Sequence, residues 1–462
     1  MNRCSGIACL VVGLVLSSAT AAWSAKKPSA DYLQMIVKLL SDNDPEFRGI
    51  ALEQVRTAGG GAATTELFAS QLTVLSPAAQ VGLLGALADR GDAAARGSVL
   101  ALYQSSQDEA VRAAAIRALG QLGESPELLP LLVRVLGSAS TAEQVAARQS
   151  LIVLRGDTVT ASIARQMPSA APAQKAGLIE VLAARWARDQ IPAFIAATLD
   201  ESAQVRAAAM AALGQLGGVP QVAAMLPGVL KAAKGAERDA AEKNVAIVCS
   251  RIANDDERAT TLIQALETID TAQRDQLLGL VGRVGGKKLI KFVAGIATSS
   301  DPAQRKLGID ALSKWPDASV ADQLLEIAKM TKDPEERSRA FQGFVKISAT
   351  RDKRSDDQRL QRMKQAMKEA NSPAEQKLVL MRCRTAYTVD TLRFVLPYLE
   401  DPQFAPTVCE TIVELAHHRE IRDPNKAEFD QALNKVIAIS KDPVVVERAR
   451  RYQRGETWER SG

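Results

Sequence analysis

The sequence predicts an all-α chain of stacked helical hairpins, an α-solenoid, and three observations carry that expectation. The stretch DEAVRAAAIRALGQLG at 108–123 returns, little changed, as ESAQVRAAAMAALGQLG at 201–217. Val111-Arg112 and Val205-Arg206 stand 94 residues apart, three steps of about 31, and self-similarity at that period marks a helical repeat. Aromatic residues make up only 4% of the chain, as expected where small aliphatic side chains do the packing.

Each copy reads as one amphipathic helix. Val111, Ala114, Ala115, Ala118, Leu119 and Leu122 recur at spacings of three and four and so share a face. Its alanines let the next helix approach closely. Asp108 stands at the helix start, where a carboxylate meets free N–H groups and the positive end of the dipole. Gly120 and Gly123 are expected to end the helix. Ser125-Pro126-Glu127 then restarts the chain, and 128–136 forms the partner helix. Such a hairpin cannot bury its apolar face alone, so it must stack.

The pattern D-x-x-V-R-x-x-A-x-x-A-L-G-x-L-G resembles the HEAT-repeat family, in its short bacterial, bilin-lyase-type form. It is well kept at 108–123, whereas Ser202 replaces the aspartate in the second copy. The resemblance implies a right-handed α-solenoid. It also implies a structural ladder of aspartate and arginine between neighbouring repeats, which the pattern places at Asp44, Arg48, Asp108, Arg112, Arg206, Asp301, Arg305, Asp333 and Arg337. On function the motif says almost nothing.

The series can be followed along the chain by a second-helix start, usually Asp-Pro or Ser-Pro, with a long polar side chain three residues after the proline. Asp44-Pro45 leads to Arg48 and Ser76-Pro77 to Gln80; Arg112 follows, then a weak start near Ala146, then Lys175, Arg206, Arg238 and Arg274. Asp301-Pro302 leads to Arg305, Asp333-Pro334 to Arg337 and Ser372-Pro373 to Gln376; Asp401-Pro402 and Asp442-Pro443 close the series. That makes roughly a dozen repeats. Proline suits the first helical position, because its φ is preset and its missing N–H would have no partner there.

Two longer steps, near 40, follow Arg337 and Asp401. The first contains the charged stretch 351–371, expected as a helical insertion, and the second the polar loop 417–426. The expected organisation is therefore a signal peptide at 1–21, a repeat solenoid at 22–350, the insertion at 351–371 and C-terminal repeats with a capping tail at 372–462.

The N-terminus reads as an export signal. Arg3 supplies the positive end, 7–16 the apolar run and Ala19-Thr20-Ala21 the cleavage site, with an uncleaved inner-membrane anchor as the alternative. The expected destination is the periplasm. Loss of the signal leaves Cys249, Cys383 and Cys409, far apart and each within a helical pattern, so they read as buried small hydrophobes. A disulfide between two of them stays open in an oxidising compartment.

No chemistry-bearing constellation stands out. The mature chain carries 57 basic against 53 acidic residues, too slight an excess to imply nucleic acid or an anionic membrane. The two histidines, His417 and His418, follow Glu410 and Glu414 at helical spacing, but a carboxylate-bridged metal site needs a second such helix. The stretch 282–288, GRVGGKK, fails the phosphate-loop spacing. No catalytic residue, cofactor or metal ligand is therefore expected. The expectation is an exported, non-catalytic scaffold binding another protein, of unknown identity, through the concave solenoid surface. A HEAT-like lyase or chromophore-handling enzyme and a self-associating envelope protein are the alternatives, and the oligomeric state stays open.

Overall fold

The computed structural model describes residues 28–458 apart from Glu124 and Pro126. The expected signal peptide and its cleavage site lie outside the described residues. All regular structure among the described residues is helical, and the chain falls into two compact units, one ending at Ile163 and the other beginning at Ala164.

In each unit a first helix alternates with a second helix. In the first unit the second helices are Pro45–Thr57, Pro77–Arg90, Glu109–Gln121 and Thr141–Val153. In the second unit they run from Pro172–Ala184 and Ala203–Leu216 through Pro302–Leu312 and Pro334–Ser348 to Pro443–Gln453. The weak start expected near Ala146 is at Gln144 instead. Ser140 caps that helix, accepting from the Glu143 N–H, and Gln144 Nε2 donates to the Ser138 carbonyl at 2.6 Å. Glutamine does there what arginine does in other repeats.

The apolar face read from 108–123 is buried throughout: Val111, Ala114, Ala115, Ala118, Leu119 and Leu122 are all at most 7% exposed. Ala113 and Ile116, off that face, are buried as well. A second helix is thus covered on its flanks by its neighbours, which a one-face pattern does not anticipate. Gly120 does not end this helix. It lies inside Glu109–Gln121, and a Cβ there would stand 2.5 Å from Ser150 Cα and 2.6 Å from its Cβ, so the glycine is a point of close helix contact. The turn falls to Gly123, whose φ of +86° favours glycine.

The charged stretch expected as an insertion is part of the stack. It forms the helix Asp356–Glu369, capped by Ser355 and packed against the second helices Pro334–Ser348 and Pro373–Arg382. Leu360, Met363 and Ala366 are buried, so the helix stands in the place of a first helix; its charges lie on the outer side except Arg359, which is buried and held by Asp356 and the Arg354 carbonyl. The polar loop expected at 417–426 contains the short helix Arg419–Arg422 and a following 3-10 turn. Arg422 is 2% exposed, and its Nη1 donates to the Ala416 carbonyl at 3.1 Å.

Two glycines separate packing from propensity. Replacing glycine by alanine inside a helix gains up to about 1 kcal/mol, whereas overpacking costs about 1–3 kcal/mol. Gly49, inside Pro45–Thr57, has nothing within 4 Å of an added Cβ. Gly49→Ala is therefore expected to raise the melting temperature and Gly120→Ala to lower it, as read by thermal denaturation followed by circular dichroism.

Candidate functional site

The first set of polar residues to place is the expected aspartate–arginine ladder, and the structure divides its labour. The aspartates serve their own helices. Asp44 accepts from the Glu46 N–H at 2.8 Å, Asp108 from Val111 at 3.0 Å, Asp301 from Ala303 at 2.9 Å and Asp333 from Glu335 at 2.8 Å. Each satisfies N–H groups that the first turn leaves free.

The arginines pair elsewhere. Arg112 Nε donates to Glu143 at 2.5 Å, Arg206 Nε to Glu237 at 2.8 Å and Arg305 Nε to Glu336 at 2.8 Å. In every case the glutamate lies 31 residues on, in the first turn of the next second helix. Arg337 reaches Glu375 across the longer step. The same guanidiniums cap carbonyls at the end of a first helix: Arg206 Nη1 donates to Asp200 and Glu201, and Arg305 Nη1 to Ser299 and Ser300. The carboxylate of the ladder is thus a glutamate, because the aspartate is already engaged as a cap. Glu143, Glu237, Glu336 and Glu375 were not singled out in the sequence, although their fixed 31-residue offset from an arginine was a usable signal for the first three. Arg48 lacks this partner. It donates to the Asp42 and Asn43 carbonyls, and Ala79 stands where the glutamate would be.

A second ionic network opens onto solvent in the second unit. Asp239 and Glu242 lie on Ala236–Ser250, Arg283 on Leu278–Val284, and Lys314 two residues beyond Pro302–Leu312. Arg283 meets Asp239 at 2.8 Å and Glu242 at 3.0 Å; Lys314 Nζ meets Asp239 at 3.0 Å and Glu242 at 2.8 Å. Lys314 therefore reaches past the helix Leu278–Val284. Gly279 makes the room: a Cβ there would stand 2.5 Å from Glu242 Oε1 and 2.7 Å from Lys314 Nζ. Burial works to raise the Asp239 pKa, but Lys314 and Arg283 outweigh it and hold the carboxyl below its usual range. Lys306 and Asp310 extend the same cleft. This surface offers fixed, ionised hydrogen-bonding groups and neither thiol nor imidazole.

The remaining chemistry-bearing side chains are occupied. Cys249, Cys383 and Cys409 are free and buried, and burial raises their thiols to about 11, 12 and 11. His417 Nδ1 lies 3.1 Å from the Tyr452 hydroxyl, His418 stacks on Tyr387 with ring centroids 3.7 Å apart, and Glu414 pairs with Arg448 at 2.8 Å. Among the described residues no group of His, Cys, Asp or Glu could hold a metal ion, and no helix is long and apolar enough to cross a membrane. In 282–288, Gly282 lies inside the helix Leu278–Val284, and Gly285 and Gly286, at φ +65° and +108°, form the turn after it.

The stretch 65–152 matches the family described as HEAT repeats. These residues are HEAT repeats. Among solved structures, Kap121p bound to Ste12p is 12% identical with a TM-score of 0.42, over 88% of this chain and 57% of that one. Importin beta in an ammonium sulfate condition is 13% identical with a TM-score of 0.38, over 92% and 64%. A homology model of the AP-3 complex is 10% identical with a TM-score of 0.37, over 91% and 92%. The chain thus spans less than two thirds of the first two, and likenesses this distant say nothing of what it binds. No curated protein matches.

The arginine–glutamate ladder makes two outcomes expected. Breaking a buried ion pair by removing one partner strands the other, and an unmet charged group costs about 1–3 kcal/mol or more. Arg112→Ala strands Glu143, whose side chain is 7% exposed, whereas Arg48→Ala strands only carbonyls near the surface. Arg112→Ala should therefore lower the melting temperature more than Arg48→Ala. Acid should act through the same carboxylates. Burial tends to raise Glu237, but the Arg206 and Ala233 hydrogen bonds hold it below its usual range, and Asp239 is depressed likewise. A depressed carboxyl contributes stability that is present above its unfolded pKa, near 4, and is lost as pH falls through the folded value. The melting temperature should be flat from about pH 7 to 5 and fall below about pH 4, less steeply in Glu237→Gln.

Proposed function

We propose that this chain is an exported, non-catalytic scaffold that binds another protein along the surface formed by its second helices. The observation that carries the reading is the cleft across Ala236–Ser250, Leu278–Val284 and Pro302–Leu312, with Asp239, Glu242 and Lys314 fixed in it and Arg283 pairing with both acids from behind. Charged groups held in place by one another meet a partner with little loss of conformational entropy, and preorganisation is what turns surface complementarity into affinity. The buried, high-pKa thiols and the engaged histidines favour binding over covalent chemistry, since a nucleophile has to be reachable and activated. Export rests on Arg3, the apolar run at 7–16 and Ala19-Thr20-Ala21, which together have the form of a cleaved signal. The destination we propose is the periplasm.

The test is crosslinking of the tagged protein in cells, followed by mass spectrometry. The expected result is one dominant partner protein, crosslinked at the second helices, and an N-terminus on the purified chain that begins after Ala21. Turnover of a substrate, a stoichiometric cofactor, or crosslinks only to copies of the same chain would overturn the reading.

A further inference from the structure

The ionic network of the cleft belongs to a longer column. Arg283, Lys314 and Lys346 occupy the same place, nine residues after Arg274, Arg305 and Arg337, and Arg382 lies near the C-terminal end of the next second helix, six residues after Gln376. The first two steps, 31 and 32 residues, follow the repeat; the third, 36, is three short of the 39-residue step from Arg337 to Gln376, so Arg382 stands about one helical turn earlier on its helix. The first two cations carry carboxylates of this chain, Asp239 and Glu242. The last two carry none: among the described residues neither Lys346 nor Arg382 has an acidic partner, and the Arg382 Nε is shut off from solvent without an acceptor. An arginine nitrogen buried without a hydrogen bond is costly, and the Arg382 charge has no counterpart among the described residues to offset that cost.

The electrostatics agree with the geometry. Partial burial first, then the charges of Arg283, Arg382 and Lys314, hold Lys346 below the usual lysine range, with Asp239 opposing them. Six charged groups therefore act on one another here, and two positive charges are left uncompensated. Repetition sets the spacing. Packed helices lie about 8–10 Å apart, and an extended chain advances about 3.3 Å per residue. Carboxylates on an extended segment match successive second helices when they recur about every third residue.

The geometry points to an acidic partner segment, extended and with carboxylates about three residues apart, seated on Lys346 and Arg382 as Asp239 and Glu242 are seated on Arg283 and Lys314. The inference rests on the protein-binding reading and specifies the chemistry of the bound segment. It is distinct from a free anion, because the two cations lie on different repeats and ask for two tethered carboxylates.

The test uses the whole mature protein and a fluorescein-labelled Gly/Ser peptide with aspartate at every third position, read by fluorescence anisotropy. A peptide of equal composition with its aspartates clustered, and inorganic phosphate, serve as competitors. The expected result is saturable binding that weakens as salt rises, loses about tenfold or more in K346E/R382E, and is reduced less in K346Q/R382Q. Both variants change partly exposed groups that have no acidic partner, so unaltered melting checks their fold. Binding undiminished in the charge-reversed variant would overturn the inference, as would equal binding of the clustered peptide or displacement by phosphate at comparable concentration. If the peptide fails while a partner still crosslinks at other second helices, this inference falls and the scaffold reading stands. If the peptide binds as expected while no partner protein crosslinks, the scaffold reading falls and the acid-binding column stands.

Discussion

One contact recurs at four junctions between second helices, the arginine of one repeat hydrogen-bonded to a first-turn glutamate of the next. A guanidinium is suited to the task because its fork of donors can face two directions at once. One edge of Arg206 meets Glu237, and the other caps the carbonyls of Asp200 and Glu201. A single side chain thus binds its own hairpin together and sets the offset to the neighbouring one. The glutamate is placed where the helix dipole also favours it, so the pair and the helix terminus support the same position. Surface ion pairs contribute little, but these glutamates are buried or nearly so, and Arg206 serves both of its edges.

The close-packed glycines follow from that offset. Once the ladder fixes where one second helix lies on the next, certain positions must lack a side chain. Gly120 against Ser150, between the helices that Arg112 and Glu143 join, is one; Gly279, at a junction where Arg238 meets carbonyls rather than a glutamate, answers instead to the Glu242–Lys314 pair above it. The two differ in what they admit. The first lets backbone meet backbone and adds apolar contact; the second lets a lysine cross a helix to reach an acid 72 residues earlier in the chain. A repeat scaffold built for close contact can therefore carry a polar network wherever a glycine opens a passage.

How much of this the sequence disclosed depends on the range of the interaction. The helix starts were legible, since Asp-Pro with a long polar side chain three residues on is a local signal with a local cause. The buried face of 108–123 was legible for the same reason. The ladder partner was not, because Arg112 and Glu143 are related only by the repeat, and the nearer Asp108 offered a carboxylate that is consumed in capping. The start at Gln144 was placed near Ala146 because Ser140-Thr141 stands there in place of Asp-Pro, leaving no proline to fix the position. Nothing in the spacing of Asp239, Glu242, Arg283 and Lys314 marks them as a group until the helices are stacked.

The long step after Arg337 shows which part of the repeat is free to vary. The first helix there, Asp356–Glu369, is 14 residues long and follows a polar connection that holds Arg354 and Asp352 in an ion pair at 2.9 Å. Arg337 nevertheless finds its glutamate, Glu375, now 38 residues on, and its Nη2 caps the Glu369 carbonyl. The added length is taken up in the first helix and its connections, while the contact between second helices is kept. Charge is tolerated in that first helix because most of it lies off the covered side bearing Leu360, Met363 and Ala366, and the one buried cation, Arg359, is met by Asp356 and the Arg354 carbonyl. The constraint lies between second helices, so they are where a repeating arrangement of side chains can be kept in register. A line of cations such as Arg283, Lys314 and Lys346 stays in register for that reason, and across the irregular step Arg382 continues it about one turn earlier on its helix.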